Sequence, residues 1–427
     1  MRQIKIAVLG LGTVGQGVAR LLRDNQATLA AKAGCEIALG RALEKFLTKK
    51  LDVELAAGAL TNRWEEIRQD PEIAVVVETI GGVEPARTYV LQALQAGKSV
   101  VTANKDLLAA CGQELFQAAR AAGRDLYFEA SVGAAIPIIG PLRQCLVASR
   151  LTEVMGIVNG TTNYILTRME EEGLPFGEIL SEARDLGFTE ADPAADLEGH
   201  DAARKIAILA TLAFHSQVAF ADVYAEGIEK ITGEDIRLAR SLGYKIKLLA
   251  ICRADGESIE ARVHPALLPL EHPLARVGGT YNAIFARGPE LGETMFYGVG
   301  TGQMPSAQAI LSDVATVARN ILQGCQGRLN SVAGRILPIK AMAEVETRFF
   351  LRLSLEDKPG ALSQVAEILG KRGVSVARVI QSGLGAGQAE VVLVTHKTLE
   401  GRMRQATAEI GELPVTKKVA ALFRVEE

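Results

Sequence analysis

The sequence predicts an α/β protein in which a parallel sheet comes first and a smaller α+β module comes last. Over residues 4–127, short apolar runs alternate with segments of helical periodicity, as in strands joined by crossover helices. A glycine-rich turn closes the first of these strands. Residues 348–427 then follow the order β-α-β-β-α-β, which is the ferredoxin-like order.

The glycine-rich turn has the sequence GLGTVG at residues 10–15, directly after the predicted strand 4–9 and at the start of a predicted helix. In this strand–turn–helix setting, the first glycine permits the turn and the second lets the backbone approach a pyrophosphate. The third lets the helix pack on the strand, and the helix N-terminus attracts the anion. The alternative is a plain glycine-rich turn. The predicted dinucleotide-binding residues are Gly10, Gly12, Thr13, Val14 and Gly15.

The second strand is predicted at residues 36–39 and ends in Gly40, Arg41 and Ala42, without an acid to bind ribose hydroxyls. A guanidinium without a competing acid suits a 2′-phosphate, so Arg41 favours NADP, with NAD still possible. Three lysines follow, Lys45, Lys49 and Lys50. They would serve the same phosphate or simply form a solvated basic face.

Two later strands, predicted at residues 73–79 and 99–102, complete the parallel Rossmann arrangement. Thr79 and Lys105 lie at or just after the carboxyl ends of these strands, where ligands bind in such sheets. Lys105 is otherwise an ordinary exposed lysine.

The stretch 187–205 carries four acids within nine residues and then enters a mostly apolar helix. Asp201 and Lys205 are four residues apart and share one face of that helix. A lysine on a buried helix loses water, which lowers its pKa and suits it to proton transfer. The alternative is a surface ion pair beside a solvated acidic loop.

Two further segments offer polar groups to a ligand. The loop beginning at Asn159 supplies an amide, hydroxyls and a helix N-terminus, which suit a carboxylate. Glu129 precedes a small-residue turn and would either bind a hard cation together with backbone carbonyls or cap backbone amides. Short alternating runs between residues 247 and 299 predict an open sheet, a usual place for subunit pairing.

Composition excludes several classes of function. The 427 residues carry a net charge of -3, so binding to nucleic acid has no electrostatic support. We expect neither a signal peptide nor a membrane span. The five cysteines form no CxxC pair, and the histidines lack metal-ligand spacing, so reduced thiols in a cytoplasmic protein are expected.

The stretch 187–205 resembles the homoserine dehydrogenase family, and the turn DKPGAL at 357–362 resembles ACT domains, so the likeness extends over essentially the whole chain. It implies that Lys205 is the catalytic acid/base. The substrate-binding residues that it implies are Lys105, Gly160, Thr161, Glu190, Asp196 and Asp201. Besides the glycine motif, Arg41 and Thr79, the cofactor-binding residues expected are Lys105, Gly187, Glu190 and Gly302. Phe188 stands where many members have tyrosine, so any contact of that phenol is lost.

The resemblance also implies a monovalent cation, Na⁺, held by Glu129 and the backbone of Val132, Ala134 and Ile136. We expect an NADP-binding domain at 1–135, completed by a helix at about 303–325, and a catalytic and dimerisation domain at 136–302. A connector at 326–347 would precede an ACT domain at 348–427 that folds as a unit. A homodimer or homotetramer and an amino-acid effector, with threonine the first to test, are the expected partners.

Two other functions remain open on the sequence. Aspartate-semialdehyde dehydrogenase needs a nucleophilic cysteine paired with a histidine, and neither Cys111 nor Cys145 has an obvious partner. A regulator built from nucleotide-binding and ACT parts would not need Lys205 and its acids.

Overall fold

The computed structural model describes residues 2–189, 192–328, 336–385 and 387–427. They form two compact units. The first unit comprises Met1–Val154, Arg204–Val223 and Tyr281–Leu337. The second unit comprises Met155–Ala203, Tyr224–Thr280 and Pro338–Glu427. This division differs from the successive domains that the sequence predicts, because each unit gathers segments that are far apart in the chain.

The elements are numbered in chain order. The strands are β1 (Gln3–Leu9), β2 (Glu36–Leu43), β3 (Leu60–Thr61), β4 (Ile73–Glu78), β5 (Ser99–Thr102), β6 (Leu126–Tyr127), β7 (Glu153–Ile157), β8 (Tyr224–Ala225), β9 (Tyr244–Ala254), β10 (Ile259–Pro269), β11 (Tyr281–Gly288), β12 (Gly292–Val299), β13 (Glu346–Glu356), β14 (Val376–Gly385), β15 (Gln388–Thr395), β16 (Thr398–Leu399) and β17 (Thr416–Val425). The helices are α1 (Thr13–Asp24), α2 (Gln26–Ala33), α3 (Trp64–Arg68), α4 (Ala86–Gln95), α5 (Lys105–Ala122), α6 (Gly160–Glu172), α7 (Phe176–Asp185), α8 (Ala194–Leu197), α9 (His200–Ala213), α10 (Gly233–Ser241), α11 (Gln303–Gln323), α12 (Ala361–Lys371) and α13 (Glu400–Gly411).

The first unit contains a parallel sheet in the order β3-β2-β1-β4-β5-β6. This is the strand order of dinucleotide-binding Rossmann sheets, so the predicted fold class is confirmed for the N-terminal part. Buried side chains of the sheet, such as Val8, pack with Val18 of α1 and Val314 of α11 in one apolar cluster. The helix predicted at about 303–325 is α11, and its packing on α1 completes this unit.

Strands β11 and β12 of the first unit form an antiparallel hairpin. The side chains of β12 alternate between exposed and half-buried positions along the strand. Tyr281 and Tyr297 stack with ring centroids 5.1 Å apart, and both rings are exposed. The hairpin therefore shows an aromatic face on its surface.

The second unit contains strands in the order β9-β10-β17-β13-β15-β14, with Met155–Ile157 of β7 beside β9. Its last four strands, with α12 and α13, have the β-α-β-β-α-β connectivity predicted for the C-terminal module. Strand β17 also pairs in parallel with β10, where Ala266 faces Arg424 and Leu267 faces Val425. The module therefore shares a sheet with the region before it, although the sequence predicts a module that folds by itself.

The module has an apolar core of its own, in which alternate residues of β13 meet the two helices. Phe349 and Leu353 of β13 pack with Val365 of α12 and Met403 of α13. The turn before α12 ends at Gly360, which has a φ of 85° and so needs a residue without a Cβ. Within the described ranges, none of the helices carries an apolar run of membrane-spanning length.

Candidate active site

The glycine motif of the first unit forms a tight turn between β1 and α1. Gly10 has a φ of 91°, and a Cβ on Gly15 would lie 1.9 Å from the Gly10 carbonyl oxygen, so both positions need glycine. A Cβ on Gly12 would meet no atom of the described residues within 4 Å. Packing within the protein therefore does not explain Gly12, whereas close approach of a ligand to the backbone does.

The N-terminus of α1 is suited to bind an anion. Its first turn carries no acidic residue, and its N-cap residue, Gly12, has no side chain to cap it. Thr13 and Val14 lie in this turn, as predicted from the motif. The hydroxyl of Thr79 donates to the carbonyl oxygens of Leu9 and Gly10, at 3.0 and 2.8 Å, and so holds the turn from the next strand.

Gly302 also lies beside this turn. It precedes α11 with a φ of 123°, which a residue with a side chain rarely adopts. The side-chain amide of the next residue, Gln303, donates to the carbonyl oxygen of Thr13 at 2.9 Å. The structure thus brings the predicted residues Thr13, Thr79 and Gly302 together at the end of one sheet.

The end of β2 corrects the sequence analysis. The strand does not end near Arg41 but continues to Leu43, and Glu44 follows it. Lys49 pairs with Glu44 at 2.8 Å, and the backbone N–H of Leu11 in the glycine turn donates to the same carboxylate at 3.3 Å. Burial opposes ionisation of Glu44, but Lys49 holds the pKa of this carboxyl below its usual value. The prediction that no acid follows this strand was therefore wrong.

Arg41 lies within β2, where its guanidinium donates to the carbonyl oxygen of Gly58 at 2.6 Å. The predicted basic residues Lys45 and Lys50 are exposed. Hydrogen bonding fixes one side of the Arg41 guanidinium, and its other donor groups can still serve a phosphate.

Glu78, at the end of β4, has a structural role that the sequence analysis missed. Its buried carboxylate accepts the Thr102 hydroxyl at 2.5 Å and the backbone N–H groups of Ile80 and Gly81 at 2.7 and 3.3 Å. Burial raises the pKa of Glu78, although these donors favour its charged form. Glu78 thus joins two strand ends that carry predicted site residues.

Lys105 is the first residue of α5, and the side chain of Asn104 caps this helix by accepting the Leu107 N–H. The amide of Asn104 also donates to the Gly82 carbonyl oxygen at 2.7 Å, which fixes the start of α5 against the turn after β4. Asp106 pairs with Arg204 of α9 at 3.0 Å. These contacts place Lys105 at the carboxyl end of the sheet, as predicted.

In the second unit, Asn159 brings two of the predicted acids together. Its side-chain amide donates to Asp196 at 2.7 Å and to Asp201 at 3.0 Å. Its side-chain oxygen accepts the backbone N–H of Thr162 at 2.9 Å and so caps α6. The residue predicted as part of a carboxylate-binding loop therefore organises a pair of carboxylates.

Gly160 and Thr161 open α6 directly after Asn159 in the chain. The Thr161 hydroxyl donates to the carbonyl oxygen of Phe188 at 2.8 Å, which ties α6 to the acidic stretch. The Phe188 ring meets Tyr164 edge-on with centroids 5.0 Å apart. Gly187 has a φ of 72°, so the chain turns there in a glycine conformation. The predicted ligand residue Glu190 lies outside the described residues.

Lys205 follows Asp201 by about one turn of α9. Both residues are only 5% exposed, so the surface ion pair considered in the sequence analysis is wrong. Most residues that follow Lys205 on α9 are buried as well, including Ile206 and Leu209. The helix therefore carries a lysine and an aspartate in surroundings that exclude most water.

Glu129 caps backbone amides, which is one of the two roles considered from the sequence. Its carboxylate oxygens accept the N–H groups of Ile138, Ile139 and Gly140 at 2.6–2.8 Å. Burial raises the pKa of Glu129, and these amides act in the opposite direction. The Glu129 N–H donates to Asp313 at 2.8 Å, and burial raises the pKa of Asp313 to about 8.

The turn after Glu129 contains the other residues expected at a cation. Ala134 has a positive φ of 43°, which is uncommon for a residue with a Cβ, and Gly133 has one of 74°. Val132, Ala134 and Ile136 are buried. No group of three or more His, Cys, Asp and Glu suited to a metal occurs among the described residues. The oxygen donors of this segment are the Glu129 carboxylate, which already accepts three backbone N–H groups, and the backbone carbonyls of the turn.

In the first unit, a Rossmann sheet with a glycine-rich turn and a buried lysine, Lys205, are features of a nucleotide-dependent oxidoreductase. Comparison with known proteins supports the same class of protein. Residues 10–129 match the model of the homoserine dehydrogenase NAD-binding domain, residues 137–315 that of homoserine dehydrogenase, and residues 349–415 that of the ACT domain. The chain belongs to the homoserine dehydrogenase family, which comprises oxidoreductases that act on a CH–OH group.

Individual relatives resemble the chain along its length. It is 44% identical over 430 residues to a homoserine dehydrogenase of Bacillus subtilis, covering 100% of this chain and 99% of the relative. A crystal structure of a Thiobacillus denitrificans homoserine dehydrogenase matches with a TM-score of 0.93 and 41% identity, covering 100% and 99%. A hyperthermophilic archaeal homoserine dehydrogenase mutant, in complex with NADPH, matches with a TM-score of 0.63 and 26% identity, covering 74% and 97%.

Proposed function

We propose that the protein interconverts L-homoserine and L-aspartate 4-semialdehyde with NADP as its preferred cofactor, in the biosynthesis of threonine, methionine and isoleucine. The observation that carries the assignment of roles is the pairing of Asp196 and Asp201 by Asn159, one helical turn before the buried Lys205. Two carboxylates held together by one donor offer several oxygen acceptors to a substrate ammonium group.

Residues of suitable type are present for binding the substrate and for transferring the proton. Asp196 and Asp201, with Glu190, would hold the amino group of homoserine, and the start of α6 at Gly160 and Thr161 would receive its carboxylate. Lys105 would also contact the substrate. Lys205 would take the proton from the hydroxyl oxygen during oxidation and return it during reduction. The nicotinamide cofactor, when bound, accepts or supplies the hydride.

The cofactor site is proposed at the glycine turn, with Gly10, Gly12, Thr13, Val14 and Gly15 around the pyrophosphate. Thr79, Lys105, Gly187, Glu190 and Gly302 would complete it. Preference for NADP rests on Arg41, whose guanidinium suits a 2′-phosphate, and on Lys49, which neutralises Glu44 at 2.8 Å. The NADPH complex of the archaeal relative supports the same choice. NAD is the proposed second cofactor.

We also propose a bound monovalent cation, Na⁺, at Glu129 and the backbone of Val132, Ala134 and Ile136. The positive φ of Gly133 and Ala134 gives this buried segment a turn, and the Glu129 carboxylate supplies negative charge beside it. The proposed role is to stabilise the turn, and no proton or hydride transfer passes through the cation.

We place the enzyme in the cytoplasm. We also propose two partners for it. The first is an amino-acid effector of the ACT domain, with threonine the first to test, since the turn at 357–360 lines a cavity of about 780 Å³. The second is a further copy of the chain in a homodimer or homotetramer. The exposed side chains of the β11–β12 hairpin, including Tyr281 and Tyr297, support pairing of subunits there.

The test is NADPH oxidation, followed by absorbance, with L-aspartate 4-semialdehyde as substrate. We expect Lys205→Ala to lower kcat by about 10²–10⁴-fold while NADPH binding is retained, because only proton transfer is lost. Lys230→Ala, which changes an exposed lysine, is the matched control and should behave as wild type. Near-normal turnover in a folded Lys205→Ala protein would disprove the role of Lys205.

A further inference from the structure

The C-terminal strand β17 places a buried arginine, Arg424, next to the segment that follows β8. Arg424 is 2% exposed, and its guanidinium donates to Glu226 at 2.7 Å and to Glu400 at 2.6 Å. Glu226 directly follows β8, and both β8 and β17 pair in parallel with β10, at residues 262–263 and 266–267. A side chain of the C-terminal module therefore contacts a residue of the preceding region in the same unit.

The Glu226 carboxylate is held firmly. Besides Arg424, the Tyr224 hydroxyl donates to it at 2.9 Å, and the Glu226 backbone N–H donates to the Val263 carbonyl oxygen at 2.8 Å. Burial opposes ionisation of Glu226, but the charge and hydrogen bond of Arg424 keep the pKa of this carboxyl below its usual value. The residue is therefore an ionised, largely immobile carboxylate.

The backbone after Glu226 packs against the segment that carries Asp196. The N–H of Ile228 donates to the carbonyl oxygen of Leu197 at 2.9 Å. A Cβ on Gly227 would lie 2.2 Å from that same oxygen, so the two backbones are in direct contact. Leu197 ends α8, and the residue before it, Asp196, accepts the Asn159 amide. A shift of residues 226–228 would therefore move Asp196.

We propose that Glu226, held by Arg424, is a positioning residue for homoserine. In this arrangement the ion pair fixes residues 226–228, these fix the end of α8, and α8 presents Asp196 to the substrate ammonium group. The C-terminal strand is thereby part of the support of the substrate site. The inference rests on the proposed role of Asp196 in substrate recognition.

The proposal predicts a specific kinetic change. Glu226→Gln keeps the size of the side chain but removes its charge, so the Arg424 contact weakens and Asp196 is held less well. We expect KM for homoserine to rise about fivefold or more, while kcat and KM for the cofactor stay within about twofold. Loss of folding stability alone would instead lower the amount of active enzyme and leave KM unchanged.

Glu390→Gln is the matched control, because Glu390 pairs with Arg352 at 3.1 Å within the C-terminal module and is more buried than Glu226, with side chains 8% and 32% exposed. It should leave KM for homoserine within about twofold of wild type. Tyr224→Phe removes one neutral donor to Glu226 and is the milder variant if Glu226→Gln does not fold. It should raise KM for homoserine by about twofold, with thermal stability close to wild type.

Asp196→Asn separates this inference from the proposed function. If Asp196→Asn raises KM for homoserine and both Glu226→Gln and Tyr224→Phe leave it unchanged, the positioning role is disproved and the substrate site stands. If Asp196→Asn also leaves KM unchanged in an active enzyme, Asp196 does not bind the substrate, and both proposals fail. An equal rise in KM for homoserine and for cofactor would also disprove the positioning role.

Discussion

Asn159 donates its side-chain amide to Asp196 at 2.7 Å, and the same nitrogen donates to Asp201 at 3.0 Å. One neutral residue thus joins a carboxylate of α8 to a carboxylate of α9. Because Asn159 also caps α6, it links the proposed sites for the ammonium group and for the carboxylate of the substrate. The ammonium and carboxylate groups of homoserine would be bound by helices α6, α8 and α9, which the Asn159 side chain connects.

Replacing Asn159 with alanine should weaken substrate binding more than it weakens the fold. We expect KM for homoserine to rise about tenfold or more, because hydrogen bonds to charged groups contribute roughly 1.5–3 kcal/mol. Loss of the cap should lower the free energy of unfolding by about 0.5–2 kcal/mol. Steady-state kinetics and thermal denaturation measure the two effects.

Thr232→Ala is the control for the cap, since Thr232 caps α10 in a capping box and hydrogen-bonds to Asp235 and Arg352 rather than to the acids of the site. It should cost similar stability and leave KM for homoserine unchanged. If the two variants changed KM equally, Asn159 would act only through folding.

Arg41→Ala should impair NADPH much more than NADH. Only NADPH carries the 2′-phosphate, and loss of a charged hydrogen bond of roughly 1.5–3 kcal/mol corresponds to about a tenfold to hundredfold loss. KM for each cofactor, measured with saturating substrate, gives the comparison. Lys50→Ala, at an exposed lysine after the same strand, should have a smaller effect. Equal losses with both cofactors would show that Arg41 supports the strand rather than the phosphate.

The cofactor end shows what the sequence could predict and where it could not. The turn at Gly10, Gly12 and Gly15 is predictable because each glycine has a steric reason that can be read from the motif alone. The end of β2 was misplaced because Gly40 and Arg41 look like a strand end. Pairing with β1 instead carries the strand to Leu43 and brings Glu44 to the turn. Tertiary pairing of this kind overrides local propensity.

The long-range contacts were the least predictable part of the site. Glu78 reads as the last residue of a buried strand, and nothing local indicates that it will bind Thr102 on the neighbouring strand. In the same way, the pairing of β17 with β10 joins residues far apart in the chain. The apolar alternation of each strand shows that it lies in a sheet but does not identify its neighbours.

Alanine substitutions at two glycines of the motif should separate cofactor binding from folding. A Cβ on Gly12 meets no atom within 4 Å in the part of the chain that the structure describes, so Gly12→Ala should fold with nearly normal thermal stability. It should bind NADPH tenfold or more weakly, a loss of at least about 1.4 kcal/mol, because the new methyl group blocks the pyrophosphate. Fluorescence titration and thermal denaturation measure the two quantities.

Gly15→Ala is the contrasting variant, because its Cβ would lie 1.9 Å from the Gly10 carbonyl oxygen. It should lose thermal stability even without cofactor. Unchanged NADPH affinity in Gly12→Ala would contradict the proposed position of the pyrophosphate. Normal stability in Gly15→Ala would contradict the close approach of α1 to the turn.

The last prediction concerns the effector of the ACT domain. Threonine should inhibit the intact enzyme, and for this it must bind the less active state more tightly than the active one. A free energy of coupling of about 1–3 kcal/mol between threonine binding and activity would give clear inhibition at saturating threonine.

Asp357 lines the cavity at the turn before α12, so Asp357→Ala should abolish inhibition while basal turnover is retained. Glu412→Ala changes an exposed acid of the same module outside that cavity and should be inhibited like wild type. Point variants are preferable to removal of the module, because β17 pairs with β10 and its loss would disturb the remaining sheet. If threonine inhibits Asp357→Ala as strongly as wild type, the effector binds elsewhere. If it fails to inhibit the wild type, another amino acid must be sought for this cavity.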